Sequence, residues 1–396
     1  MNEITQPART AGALAEAALE LAYAGRLADS LPLFDQSLAL RPADADTLVS
    51  RGLVQRDLGD WEGARDSLAR AVAAAPDHAY ARYNLGCVLL TLGDYENGLP
   101  ARLAGRHSVI SENRLEVPAW RGEYLRDEYG GPGTLLLHSD GGLGDTIMLA
   151  RYAGLCAPRA KVAFAGPPPL ERLFGSLAGL DRFIPGPQPL RFHRQLAIEH
   201  LPLLWGTTPA NVPASPYLAA DPVAVAAWRA RLGALPGIKV GICWAGNPDY
   251  PNDRGRSLAF EALRPLADIG GVTFVSLQKG GADWTQPAPG EAEGFGLVDW
   301  TGELGDFADT AALVTALDLV ITVDTSVAHL AGALAAPVWL LNRFATDWRW
   351  GIGRDDCAWY PTLRQFRQPA LGDWTPAIAA AAAQLGRFAR GECAAI

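Results

Sequence analysis

Glycine and proline residues recur at a fixed interval through the first hundred positions of the chain. Gly25, Gly59 and Gly93 are 34 residues apart, and so are Pro42 and Pro76. The stretches between them are rich in alanine and leucine with amphipathic spacing. A constant period of this length predicts a stack of helix–turn–helix units, because each unit buries its apolar face only against its neighbours.

Small residues in the same segment indicate where its helices touch. Gly52 and Gly86 repeat the 34-residue step, and with Ala64 and Ala71 they are expected where two helices approach closely. The pattern resembles the tetratricopeptide repeat, with two fairly complete units and a third whose sequence pattern is no longer clear after Gly98. We predict an all-α repeat domain over residues 1–107. It would serve either as a groove for a peptide or partner protein, or as a spacer or dimerisation element.

A short apolar run leads directly into an Ala/Leu-rich helix near residue 325. Leu319–Val323 predicts a buried strand of a parallel sheet, and Ser326 is a suitable N-cap for the helix that follows. The start of that helix offers unpaired N–H groups, partial positive charge, two hydroxyls and the imidazole of His329. The local spacing fits a phosphate cradle and a plain cap with a core histidine equally well.

Strands alternate with helices from residue 134 onward, which predicts parallel, doubly wound sheets. Two Rossmann-like halves are expected over residues 130–235 and 236–370, after a connector at 108–129 and before a closing helix at 371–396. The Pro-rich zone 185–222 predicts packed loops. The predicted strands are Thr134–His138, Lys161–Ala165, Ile238–Trp244, Val272–Leu277, Gly296–Asp299, Leu319–Val323 and Val338–Leu341.

Polar or glycine-rich turns follow three strands of the second half. They are Ala245–Pro248 with the nearby Asp253–Ser257, then Gln278–Gly281, and then Asp324–Ser326. Ligands of doubly wound sheets bind beyond the carboxyl ends of the strands, so these turns would open on one edge. Together they bring two cationic side chains and a bare helix N-terminus, which favours a nucleotide-type diphosphate ligand over a purely structural interpretation.

Composition excludes several classes of function. The net charge of −9 and the absence of a Lys/Arg cluster argue against a nucleic-acid partner. Five scattered cysteines fit a reducing cytoplasm better than a disulfide framework or zinc site, and the six histidines lack metal-ligand spacing. No apolar leader and no run of about 18 apolar residues occurs, so we expect neither a signal peptide nor a membrane span.

Several motifs carry a resemblance to a known family. The sequence is similar to bacterial tetratricopeptide-repeat glycosyltransferases, whose catalytic part is similar to heptosyltransferase-like family 9 and, more distantly, to protein O-GlcNAc transferases. The resemblance runs from about Thr134 to Phe366, and Asp324-Thr-Ser-x-x-His329 is its most specific piece. The motifs are Gly142–Ile147, Val240–Pro248, Arg256-Ser257, Ser276–Gly280, Asp306–Leu313, Val323–Ala333, Asp347-Trp-Arg-Trp350 and Trp359-Tyr-Pro-Thr362.

The resemblance implies a GT-B fold, in which two Rossmann-like domains face each other and the second holds the nucleotide sugar. It also implies inverting transfer without a metal or a cofactor other than the nucleotide-sugar donor. The implied donor-site residues are Asp324, Thr325, Ser326 and His329 at the phosphates, Arg256 and Lys279 at the leaving group, Ser257 and Gln278 assisting them or contacting ribose or base, and Trp244, Gly246 and Asn247 along the donor side.

Asp145 matches the acidic residue that heptosyltransferase-like enzymes use as general base. A simple helix N-cap fits its local pattern equally well. Heptosyltransferases usually carry glycine where Ser326 stands, so ADP-heptose does not follow as the donor. Trp348 and Trp350 are aromatic candidates for ligand stacking, but core packing is favoured in a chain with 12 tryptophans.

The sequence thus predicts a cytoplasmic glycosyltransferase that acts on a hydroxyl, most simply of a flagellin- or adhesin-like protein recruited by the repeats. A polysaccharide or lipid precursor is the second acceptor class. The alternative function is a non-catalytic repeat scaffold with a degenerate transferase domain. A dinucleotide oxidoreductase is disfavoured, because Gly141-Gly-x-Gly144 lacks the required glycine spacing and the acidic residue about 20 positions on.

Overall fold

A computed structural model of the chain describes residues 10–109, 117–139, 141–186, 191–250 and 253–396. It contains two compact units. The first comprises the chain up to residue 112 together with Phe344–Ile352, and the second comprises residues 113–343 and 353–396. Part of the predicted connector 108–129, part of the Pro-rich zone 185–222 and Asp140 of the first glycine loop lie outside the described residues.

The first unit is built from three consecutive helix pairs. Each pair turns at a glycine in the left-handed region, with φ of 78° at Gly25, 82° at Gly59 and 92° at Gly93, where side chains are disfavoured. The third pair is complete and runs past Gly98, where the sequence pattern had blurred. The helices are α1 (Ala11–Tyr23), α2 (Leu27–Leu40), α3 (Ala45–Asp57), α4 (Trp61–Ala74), α5 (Ala79–Thr91) and α6 (Tyr95–Val109).

The predicted small residues lie at the helix contacts of this unit. A Cβ atom on Gly52 would lie 2.9 Å from Cγ of Leu68, and one on Gly86 would lie 2.2 Å from the backbone nitrogen of Arg102. Both distances are shorter than normal packing allows, so the helices depend on glycine at these positions.

A short segment from the far end of the chain belongs to the same unit. Within Phe344–Ile352, the indole of Trp348 meets Tyr95 edge-on with ring centroids 6.4 Å apart. The guanidinium of Arg102 lies 5.3 Å from the Trp348 ring. Trp348 is 5% exposed and Trp350 is 1% exposed. Both tryptophans are therefore packing residues, and the segment completes the repeat unit.

The first sheet of the second unit has the strand order β3-β2-β1-β4, and all its pairs are parallel. Its strands are β1 (Thr134–His138), β2 (Lys161–Ala165), β3 (Arg182–Ile184) and β4 (Arg194–Ala197), and its helices are α7 (Leu143–Ala150), α8 (Ala153–Cys156), α9 (Glu171–Phe174), α10 (Leu201–Leu204) and α11 (Pro222–Gly233). The zone predicted as loops contains β4 and α10. That prediction was wrong because such short elements, broken by proline, show no measurable periodicity.

The second sheet has the order β10-β9-β8-β5-β6-β7 and is also parallel throughout. Every residue of β8 and β9 is buried, as expected of central parallel strands. The strands are β5 (Ile238–Cys243), β6 (Val272–Ser276), β7 (Leu297–Val298), β8 (Leu319–Val323), β9 (Val338–Asn342) and β10 (Leu363–Arg367). The helices are α12 (Asp253–Arg256), α13 (Arg264–Ala267), α14 (Glu291–Phe295), α15 (Phe307–Ala316), α16 (Ser326–Ala333) and α17 (Thr375–Ala389).

An all-α repeat region followed by two parallel α/β sheets confirms the predicted fold class. The edge strand β10 was not predicted, because its sequence Leu-Arg-Gln-Phe-Arg lacks the apolar run of the central strands. Among the helices that the structure describes, none is both long enough and apolar enough to cross a membrane.

Candidate functional site

Three neighbouring strands bring the polar turns of the second sheet to one edge. Strands β8, β5 and β6 are adjacent and parallel, with Val240 opposite Leu319 and Ile242 opposite Ser276. The turns that follow these strands therefore open on the same side, where ligands of parallel sheets bind.

The turn after β8 is organised by Thr325. Its hydroxyl accepts the N–H of Val327 at 3.2 Å and lies 3.1 Å from the hydroxyl of Thr322. Thr325 is thus the N-cap of α16, and Ser326, which the sequence predicted as the cap, is the first helical residue. The extended backbone of Thr325 explains the difference, because an N-cap lies outside the helical region.

Arg256 carries positive charge to this turn. Its Nη1 donates to the carbonyl oxygen of Asp324 at 3.0 Å, and its Nε lies 3.1 Å from a carboxylate oxygen of Asp253. A Cβ atom on Gly246 would lie 2.4 Å from Nη2 of Arg256, so the guanidinium occupies the space that a side chain would take. The structure thus brings Arg256, Gly246 and Asp324 together, and the Arg256 side chain is 17% exposed.

Ser257 and Asn247 lie in the same loop with different surroundings. The Ser257 hydroxyl donates to Asp253 at 2.8 Å and accepts the N–H of Gly246 at 2.9 Å. Ser257 is buried, so it holds the loop that carries Arg256. Asn247 is exposed, and its side-chain oxygen accepts the N–H of Asp249 at 3.1 Å.

Gln278 and Trp244 are structural side chains at the ends of their strands. The Gln278 carbonyl accepts the N–H groups of Trp244 at 3.0 Å and Ala245 at 2.9 Å, and its amide nitrogen donates to the Gly280 carbonyl at 2.7 Å. The Trp244 indole donates to the Thr285 carbonyl at 2.7 Å and is 3% exposed. These side chains tie the turns together.

Lys279 points to a different loop. Its ammonium group donates to the carbonyl oxygen of Leu304, which lies shortly before α15. Lys279 was expected to share the leaving-group role with Arg256. The structure instead gives Lys279 a backbone partner outside the turn at Asp324.

The first turn of α7 contains Asp145. Gly142 is the N-cap of this helix, with φ of −69° and ψ of 170°, and Asp145 is the third helical residue. The simple N-cap interpretation of Asp145 was therefore wrong. A carboxylate in the first turn is stabilised by the partial positive charge of the helix N-terminus.

The start of α7 meets the start of α16. A Cβ atom on Gly144 would lie 2.7 Å from Cδ2 of His329, 3.3 Å from its Nε2 and 3.6 Å from Cα of Ser326. One helix follows β1 of the first sheet and the other follows β8 of the second. Because both N-termini carry partial positive charge, their meeting point is suited to an anion.

The Nδ1 side of His329 is contacted by a residue that the sequence did not identify as part of a site. Its Nδ1 lies 2.9 Å from the hydroxyl of Tyr360, and His329 is 4% exposed. The guanidinium of Arg151 lies 4.9 Å from the Tyr360 ring and donates to the Trp359 carbonyl at 2.8 Å. Burial raises the pKa of Tyr360 well above its ordinary value. In the sequence, Tyr360 belongs to the motif Trp359–Thr362, which contributes to the family resemblance but suggests no role of its own.

The described residues contain no cluster of three or more His, Cys, Asp or Glu side chains placed to hold a metal ion.

Comparison with known proteins adds information on the two units. A family model described as tetratricopeptide repeat matches residues 15–78 and 49–101. Residues 15–101 are tetratricopeptide repeats. Protein FlbA from Caulobacter vibrioides is 29% identical over 405 residues, a match that covers 92% of this chain. The chain spans 65% of the length of FlbA.

Two solved structures resemble the α/β part. The glycosyltransferase family 9 structure from Veillonella parvula matches 68% of this chain and 100% of its own, at 9% identity and a TM-score of 0.45. ADP-heptose lipopolysaccharide heptosyltransferase II from E. coli matches 66% of this chain and 100% of its own, at 15% identity and a TM-score of 0.43.

Proposed function

We propose that the protein is a glycosyltransferase that moves a sugar from a nucleotide-sugar donor to an acceptor hydroxyl without using a metal ion. The observation that carries this proposal is the meeting of the N-termini of α7 and α16, with the Arg256 guanidinium at the same turn. Transfer from a nucleotide sugar releases a diphosphate. Prearranged N–H groups and cationic charge stabilise the negative charge that develops on it.

On the donor side, the phosphates would lie at the start of α16. The Ser326 hydroxyl and the His329 imidazole would bind them, the partial positive charge of the helix N-terminus would stabilise them, and Arg256 would add a full positive charge. Thr325, Gln278 and Ser257 would hold the turns in place, consistent with their bonds to the backbone.

On the acceptor side, Asp145 would act as general base. It would take the proton from the acceptor hydroxyl while the hydroxyl oxygen attacks the anomeric carbon. The bond between that carbon and the diphosphate oxygen breaks, and the configuration inverts. The position of Asp145 in the first turn of α7, next to the meeting point of the helices, supports this role.

The tetratricopeptide repeats would recruit the acceptor, since such arrays bind peptides and proteins on extended surfaces. We propose a protein acceptor, such as a flagellin- or adhesin-like surface protein. A cytoplasmic location is proposed as well, since all five cysteines are free thiols.

Two substitutions test the donor and base roles separately. Calorimetry with UDP-, GDP-, ADP- and CMP-sugars should show binding of one class, and Arg256→Ala should weaken it by about tenfold or more, because it removes a charge-assisted contact. Asp145→Asn should keep that affinity while transfer falls by roughly 10²–10⁴-fold.

Transfer is measured as the sugar mass on surface proteins, by intact-mass spectrometry of a deletion strain carrying each variant. Full modification with Asp145→Asn would exclude Asp145 as the base. If no nucleotide sugar binds and deletion leaves every surface mass unchanged, the protein is a repeat scaffold and the proposed activity is wrong.

A further inference from the structure

The motif Trp359–Thr362 has no role in the proposed donor site, yet one of its residues contacts that site. The Tyr360 hydroxyl lies 2.9 Å from Nδ1 of His329, and the two rings are arranged edge-on with centroids 5.7 Å apart. Tyr360 is fully buried. The hydroxyl therefore contacts the ring nitrogen of His329 that lies away from the start of α7.

The Tyr360 ring has little freedom to move. A Cβ atom on Gly332 would lie 2.4 Å from Cδ1 of the ring, so the helix backbone of α16 packs directly against it. Arg151 lies 4.9 Å from the ring centroid and bonds to the carbonyls of Trp359 at 2.8 Å and Pro213 at 3.0 Å. Both the side chain and the preceding peptide of Tyr360 are thus fixed.

The opposite edge of the His329 ring faces the meeting point of the two helices. That edge carries Cδ2 and Nε2, which would lie 2.7 and 3.3 Å from a Cβ atom on Gly144. Which nitrogen of a neutral imidazole carries hydrogen is set by the hydrogen bond that the other nitrogen makes. The partner of Nδ1 therefore decides what Nε2 can offer to a ligand.

We infer that Tyr360 is a positioning residue whose hydroxyl donates to Nδ1 of His329 and so fixes the tautomer with hydrogen on Nε2. This inference rests on the proposed function, in which Nε2 would then donate to an oxygen of the donor diphosphate. A phenol hydroxyl supplies the hydrogen and an unprotonated ring nitrogen accepts it. The raised pKa of Tyr360 keeps that hydrogen in place across the physiological range.

The test compares Tyr360→Phe with Tyr152→Phe. Tyr152 is a matched control, because it is equally buried and its hydroxyl bonds to the Thr207 hydroxyl at 2.7 Å. The full chain is labelled with ¹⁵N-histidine, and His329→Gln assigns the signals of His329. Long-range ¹H–¹⁵N correlation spectra then show which ring nitrogen carries the hydrogen.

In the wild type and in Tyr152→Phe, we expect a single tautomer with hydrogen on Nε2. In Tyr360→Phe we expect a mixture of tautomers, together with a loss of about tenfold in affinity for the nucleoside diphosphate, the size of one hydrogen bond to a charged ligand. Affinity in Tyr152→Phe should equal that of the wild type.

Hydrogen on Nδ1 or mixed tautomers in the wild type would overturn the inference, even if the Tyr360 variant failed to fold. A single Nε2 tautomer that persists in folded Tyr360→Phe would overturn it too. Failure of the wild type to bind any nucleotide is a separate result. It would refute the proposed function, while the spectra would still decide whether Tyr360 fixes His329.

Discussion

Gly144 lies where the first turn of α7 meets His329. Gly144→Ala would place a methyl carbon 2.7 Å from Cδ2 of the imidazole, so the ring or the helix start must shift. We expect nucleotide-sugar affinity to fall by about tenfold or more, because misplacing a binding group by even a fraction of an ångström is costly. Calorimetry on the folded variant measures this loss.

Gly142 provides the control for that change. It lies two residues earlier, at the N-cap of α7, a Cβ atom on it would meet nothing within 4 Å, and its φ of −69° suits any residue. Gly142→Ala should therefore bind the donor as the wild type does. Equal affinities for the two alanine variants would show that His329 and Gly144 do not share a ligand site.

Individual site residues were predictable only in part. The sequence was sufficient to predict that Arg256 and Asp324 lie close together, because adjacent parallel strands end at one edge of the sheet. The sequence could not show that the Gln278 amide and the Trp244 indole bond to backbone groups of neighbouring turns. A polar side chain at a strand end looks the same whether it faces a ligand or supports the turn.

Among secondary-structure elements, the two α/β halves of the second unit are linked by ion pairs between α9 and α15. Arg172 donates to Asp306 and Asp309 at 3.0 Å, and Asp306 caps α15. Burial alone would raise the pKa of Asp309, but hydrogen bonds from Arg172 and the Gly305 N–H outweigh it and lower that pKa below its ordinary value. The pair is thus stabilising while Asp309 is ionised.

Arg172→Met should remove this stabilisation while keeping most of the aliphatic stem. At pH 7 we expect a loss of roughly 0.5–1 kcal/mol in the free energy of unfolding, since the guanidinium is largely exposed. A depressed carboxyl pKa stabilises the fold above the unfolded pKa and ceases to do so as pH falls through the folded value. The difference from wild type should therefore disappear in acid, once Asp309 is protonated in the folded protein.

Urea unfolding at pH 7 and in acid measures this effect. Arg264→Met is the control, because Arg264 pairs with Asp268 at a longer 3.7 Å on an exposed helix face. A deficit in Arg172→Met that is the same at both pH values would show that the side chain acts through packing rather than charge.

Strands and helices were predicted well where they are long and apolar. β1, β2 and β8 have the predicted bounds, and β5, β6 and β9 differ by one residue. β3 and β4 are only three and four residues long and carry arginine, so their sequences resemble loops. The N-caps of α16 and α7 lie one and three residues before the predicted caps. Glycine and threonine also serve as N-caps, and the surrounding fold selects among the candidates.

At the scale of the whole molecule, the two units should respond independently to substitution. Gly86→Ala would force a Cβ atom to within 2.2 Å of the α6 backbone, destabilising the repeat unit by about 1–3 kcal/mol. Gly12→Ala is the control, because a Cβ atom there meets nothing within 4 Å and alanine favours the helix.

Cysteine thiols in the two units report on each unit separately. Burial raises the pKa of Cys87 in the repeat unit, and it raises the pKa of Cys156 to about 12 and that of Cys357 to about 11 in the α/β unit. The extent of alkylation at each thiol, measured as a function of urea concentration, gives an unfolding midpoint for that part of the chain. Gly86→Ala should lower the midpoint at Cys87 and leave the midpoints at Cys156 and Cys357 unchanged. Equal shifts at all three thiols would show that the units unfold as one.

The repeat unit is not encoded by one continuous stretch of sequence. Its helices end at Val109, yet Phe344–Ile352 belongs to the same unit and supplies Trp348, whose indole contacts Tyr95 of α6. Deleting the repeats would therefore remove the packing partners of the Trp348 indole, so a truncated chain would lose more than the repeats themselves. Exchanging the repeats for another array would therefore change the surroundings of a nine-residue segment that lies more than 230 positions further along the chain.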